Sequence, residues 1–198
     1  MAAPPVAYAP RSPPLSSHLP AQVRGSSGLA RFNAAAAQAA EEALLHCCGS
    51  RRWAHRLAAH RPYPDLGALL AAADEAGYDL SPADLTEALA DESSAELHHG
   101  APYAAHLALG AAHAEYERKF GHAFVICLDE HPAEEHPDQV LAGIRRRMAY
   151  EPEEERAIAA DELRRLARGR LVALIDGVGT EYLNWADFSL SDSPSVPV

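Results

Sequence analysis

Residues 152–175 read PEEERAIAADELRRLARGRLVALI. Glu153, Glu154 and Glu155 fall where the positive end of a helix macrodipole favours acids. The run then closes on Leu171, Val172, Ala173, Leu174 and Ile175. This is a long helix, and the segments before it follow the same logic. Residues 137–149 form a helix with Arg145, Arg146 and Arg147 as a basic patch at its negative end. Residues 103–119 carry Leu107, Leu109 and Tyr116 and stop at Gly121. Ser81-Pro82-Ala83-Asp84 supplies a cap residue, a first-turn proline and a first-turn acid, after which Leu85, Ala88 and Leu89 face inward. Asp65 caps a helix through Leu66, Leu69, Leu70 and Ala73 that stops at Gly77, and Ser50 caps another through Trp53 and Leu57. Residues 34–47 read as one helix ended by Gly49. The β-like run 122–128 is short and isolated, so it is extended chain and not a sheet. The fold class that follows is all-α, a compact bundle of about seven to nine helices.

The chain has 198 residues, enough for one sizeable core, and 42 are alanine, which favours helix. Six of its 15 prolines lie in residues 1–20. Residues 1–28 therefore read as a disordered Pro/Ser/Ala-rich tail, 29–178 as the helical domain and 179–198 as a C-terminal tail. A formal charge of -11 argues against a nucleic-acid partner, and no helix offers the basic face of a DNA-reading regulator. There is no 18-residue apolar run and no secretory signal, so the expectation is a cytoplasmic protein without a membrane partner.

The three cysteines make no disulfide framework and no zinc spacing. Cys47 and Cys48 read as small hydrophobes. Eleven histidines include His106 and His113 on one helix and His131 and His136 in an acidic loop, yet none forms a metal-ligand pattern. The expectation is no metal. Arg170, between Gly169 and the apolar run 171–175, sits at a core edge. There an arginine either pairs with a carboxylate or receives an anionic ligand.

Three stretches together resemble one family. Residues 47–62, with Cys48, Ser50, Trp53 and Arg61-Pro62, resemble the Cys-x-Ser-x-x-Trp and Arg-Pro signature of the OHCU decarboxylases. These are the 2-oxo-4-hydroxy-4-carboxy-5-ureidoimidazoline decarboxylases of uric-acid degradation. Residues 115–127 resemble the family's Tyr-Glu-x-x-Phe-Gly-x-x-Phe-Val-Ile-Cys segment, and 155–171 its C-terminal helix ending in Arg-Leu. The resemblance implies an all-α bundle, often a homodimer, with no cofactor and a small anionic ureido-imidazoline substrate. It carries the anion-holding role to Arg170 and the ring-holding backbone to Phe124, Val125, Ile126, Cys127 and Leu128. The chemistry needs little else. The carbanion left by CO₂ is stabilised by the conjugated ring, and what remains is an anion holder, proton traffic and an orienting carboxylate.

The resemblance departs at the family's catalytic His-Pro-x-x-Gly motif. Glu92 stands where that His is placed, within Glu87-Ala88-Leu89-Ala90-Asp91-Glu92. Glu96 is the counterpart of the orienting Glu, in a shortened segment, and His98 or His99 is the substitute acid/base group. Two functions are thus expected as alternatives. One is a cofactor-independent carboxy-lyase producing allantoin. The other is a catalytically inactive member of the fold serving as a small-anion-binding or protein-interaction module.

Overall fold

A computed structural model of the protein describes residues 26–93 and 103–177. The expected tails lie outside these residues, except that the first helix already begins at Ser26. Among the described residues there are eight α-helices, one 3₁₀ turn at Ala133–Glu135 and no strand. The helices are α1 Ser26–Ala34, α2 Ala37–Leu45, α3 Arg51–Ala59, α4 Leu66–Tyr78, α5 Pro82–Ala90, α6 Tyr103–Phe120, α7 His136–Arg147 and α8 Pro152–Asp176.

The caps act as their side chains allow. Ser50 Oγ accepts from the Trp53 N–H at 3.3 Å, and Asp65 from Ala68 at 2.8 Å. Ser81 and Asp84 complete a reciprocal capping box at the start of α5. α6 and α8 end at Gly121 and Gly177, both at positive φ, where a left-handed residue closes the last turn.

Two expectations need correction. The run 34–47 is not one helix, because the chain breaks at Ala35–Ala36. Arg61 Nη1 donates to the carbonyls of Phe32 and Ala35 at 2.7 and 2.8 Å, so a distant side chain satisfies the end of α1. Gly77 does not stop α4, which runs on to Tyr78. A Cβ there would stand 2.9 Å from Arg164 Cγ on α8, so this glycine serves the close approach of two helices. Arg147 and Glu155 stand in the last turn of α7 and the first turn of α8, as expected, and both are also buried.

Two apolar cores are joined by the extended segment. One is built from α1 to α5 with α8, the other from Leu109 and Tyr116 of α6, Phe124, and Val140 and Ile144 of α7. Successive side chains of an extended chain point to opposite sides. Val125 accordingly enters the first core, while Phe124, Ile126 and Leu128 pack in the second. α8 buries Glu155, Ala159, Leu163, Ala167, Leu171 and Ile175, one residue in every four, a single ridge of the kind that packs into a neighbour's groove.

The head of that ridge is polar. Glu155 receives Arg147 Nε at 2.9 and 3.0 Å, together with Arg147 Nη2 and the Tyr116 hydroxyl. Arg147 Nη1 donates to the Val125 carbonyl at 2.6 Å, and the guanidinium lies 4.5 Å from the Phe124 ring centre. Burial works against the charge of Arg147, but the Glu155 bonds and the neighbouring charges outweigh it and hold the guanidinium protonated. Arg147→Met should leave a buried carboxylate uncompensated and lower stability by about 3–5 kcal/mol. The double change Arg147→Met with Glu155→Leu should recover most of that loss, with urea unfolding midpoints as the check.

His113 is also buried in this second core, and its Nε2 has no hydrogen-bond partner among the described residues. Burial lowers its pKa below the ordinary 6.5, against a smaller opposing pull from Glu117. The folded state thus binds fewer protons than the unfolded one, and stability falls as pH drops through about 6.5. His113→Leu should flatten this part of the pH profile, seen as a smaller difference in unfolding free energy between pH 8 and pH 5.5.

Candidate functional site

Arg170 has a carboxylate in its fork. Its Nη1 and Nη2 donate to Glu92 Oε1 and Oε2 at 2.6 and 2.8 Å, and Nη1 also donates to the Cys47 carbonyl at 3.1 Å. Three elements converge to make this arrangement. α8 carries the arginine, the α2–α3 turn supplies the carbonyl, and Glu92 lies two residues past α5. α5 is itself tied to α3 by ion pairs of Arg51 with Glu87 and Arg52 with Asp84. Gly49 permits the approach of the post-α5 turn, because a Cβ would stand 2.5 Å from that of Asp91.

Beside the arginine, burial pushes the Cys47 thiol up to about 12 although Arg170 pulls it down. Burial raises the Cys48 thiol to about 11. Both cysteines are neutral packing groups, as expected of cysteine behaving as a small hydrophobe.

A cleft of about 880 Å³ opens on the other side of Gly169. Its floor is Ile126 and Cys127, α7 contributes Gln139, Gly143 and Arg146, and α8 contributes Glu162, Arg165 and Gly169. Gly169 is packed against Asp129, whose Oδ2 would meet a Cβ at 2.9 Å. Consecutive residues of a helix point about 100° apart. Arg170 therefore faces Glu92 and Cys47, while Gly169 faces the cleft.

The structure brings Glu92 and Arg170 together and puts Ile126 and Cys127 in the cleft. Phe124 and Val125 are buried, and Leu128 packs against the second core. Two backbone groups of this segment are already engaged: the Val125 carbonyl accepts from Arg147, and the Cys127 N–H donates to Glu162 Oε2 at 2.9 Å. Glu96, His98 and His99 lie outside the described residues. Glu162 is a residue whose role the sequence reading missed. Its signal was a carboxylate seven residues, two turns, after Glu155 on the same helix.

A family model for OHCU decarboxylase matches residues 33–93 and 86–172. The chain belongs to the OHCU decarboxylase family. The two matched stretches share residues 86–93, the segment that holds Glu92. A crystal structure of an OHCU decarboxylase in the presence of (S)-allantoin is 21% identical, with a TM-score of 0.59 over 68% of this chain and 97% of that one. An (S)-allantoin synthase is 16% identical, also at 0.59, and the match covers 74% of this chain and 53% of that longer one. At these identities the likeness is one of fold. No curated protein matches the chain by sequence. No helix among the described residues is long and apolar enough to cross a membrane.

The thiols of this OHCU decarboxylase family member offer a direct check on the geometry. Cys127 is half-buried in the cleft, whereas Cys47 and Cys48 are closed off. Iodoacetamide at pH 8 should modify Cys127 slowly and the other two only after unfolding, as read by peptide mass spectrometry.

Proposed function

We propose that the protein decarboxylates 2-oxo-4-hydroxy-4-carboxy-5-ureidoimidazoline, or a close ureido-imidazoline acid, to allantoin in urate degradation. It does so in the cytoplasm and without a cofactor. The observation that carries this reading is the Arg170 guanidinium, half-exposed and already holding a carboxylate in bidentate geometry. In a family of decarboxylases, that group suits a substrate carboxylate or ureido oxygen. Loss of CO₂ moves the bonding pair into the conjugated ring, and protonation of that carbanion completes the reaction. Arg170 stabilises the anionic state through its charge-assisted bonds. Either His98 or His99 handles the proton and Glu96 is the orienting carboxylate, because both oxygens of Glu92 are engaged by Arg170.

The same pair favours a second reading. Arg170 is neutralised from within the chain, as suits an inactive member that binds a small anion or a protein. Release of CO₂ and the handedness of the allantoin formed from freshly made substrate separate the two. If the first holds, Arg170→Lys should lower kcat/KM by roughly ten- to a hundredfold, the range for a lost charge-assisted hydrogen bond of about 1.5–3 kcal/mol. Folding should change little, since lysine keeps the charge facing Glu92. Unchanged turnover in the folded variant would remove Arg170 as the anion holder.

A further inference from the structure

A carboxylate lying in an arginine fork can block it or aim it, and the donors of Arg170 decide which. A guanidinium has five N–H donors in one plane. Glu92 takes one hydrogen each from Nη1 and Nη2, and the Cys47 carbonyl takes the other from Nη1. The Nε–H and the second Nη2–H are left over. These two are parallel and form the side edge of the group, itself a two-donor fork. Among the described residues neither has an acceptor. Burial is unequal in the same sense, because the Glu92 side chain is 7% exposed and that of Arg170 38%. A molecule coming from solvent meets the arginine first, with the carboxylate behind it.

We propose that Glu92 is a positioning residue: it clamps the end edge of Arg170 and so presents the side edge to the planar carboxylate of a small monoanion. The ligand's identity as a ureido-imidazoline acid rests on the function proposed above, whereas the clamp rests on the geometry alone. The pair has no net charge, so the fork works by direction more than by long-range attraction. A second negative charge on the ligand would face Glu92 across the guanidinium, and this selects single over double anions. The Cys47 and Cys48 thiols beside the clamp are held protonated by burial and add no competing charge.

The test uses the full chain labelled with ¹⁵N and hydantoin-5-acetate as the probe, a monocarboxylate bearing a ureide ring. The Arg170 Nε–H resonance, assigned by its loss in Arg170→Lys, should shift on titration of the unmodified protein. Glu92→Gln should weaken the probe by roughly ten- to a hundredfold, and Glu92→Asp, which keeps the charge, should recover part of that. With substrate, the Gln change should act mainly on KM. Equal or tighter binding in folded Glu92→Gln would make Glu92 a plug and overturn the clamp. So would a titration of the unmodified protein that leaves Arg170 Nε–H unmoved, and this arm decides even if the Gln variant fails to fold. Probe binding without any turnover would sink the proposed reaction and leave the clamp standing.

Discussion

The buried Arg147–Glu155 pair is the constraint on which the rest of the structure depends. Neither charge would be tolerated alone at that depth, and the pair is tolerated because its donors and acceptors are nearly all used. One arginine fastens α7 to α8, through Tyr116 to α6, and through the Val125 carbonyl to the extended segment. That segment has no strand partner among the described residues. Its position is set by this bond, by the Glu162 bond to Cys127 and by the side chains it sends into the two cores. A main-chain group in so irregular a stretch must find its partner in a side chain, and here one carboxylate and one guanidinium do that work.

The contrast between the two arginine–carboxylate pairs separates structure from function. Arg147 and Glu155 are both sealed from water, with side chains 2% and 0% exposed, and Arg147 donates to Glu155, the Tyr116 hydroxyl and the Val125 carbonyl. Arg170 has the same kind of partner but stands at the surface of the core, with two donors that have no acceptor among the described residues. The first pair is a fastening. The second has the unequal burial of a group that can still meet a small molecule, and it is the arginine of the Arg170-Leu171 pair on which the family resemblance rests.

What was legible in the sequence is local. Ser50, Asp65 and Ser81 cap helices where they stand, since a cap needs only its own next three residues. The isolated 122–128 run is extended, as its length and lack of a neighbour required. What was illegible depends on residues far apart in the chain. Arg61 satisfies the end of a helix nearly thirty residues earlier, Arg164 explains Gly77, and Arg147 and Glu155 find each other between two helix ends whose macrodipoles already accounted for both charges. In the candidate site, Arg170 was readable from its place at the edge of an apolar run. Its pairing with Glu92 across 78 residues was one of two alternatives. Glu162 could not be separated by composition from the other acids of α8.

The unbroken four-residue step of α8 has a consequence for how this protein can vary. From Glu155 to Ile175 the buried ridge extends about 30 Å at 1.5 Å per residue, and it fixes both the fastening at its head and the arginine near its tail. Exchanging a ridge residue for another of similar volume disturbs one contact. Adding or deleting a single residue between them turns everything downstream by about 100°, carrying Ile175 out of the core and Arg170 away from Glu92 together. The spacing between Glu155 and Arg170 is therefore a tighter constraint on this helix than the identity of any one ridge residue, and substitution should be borne where insertion or deletion is not.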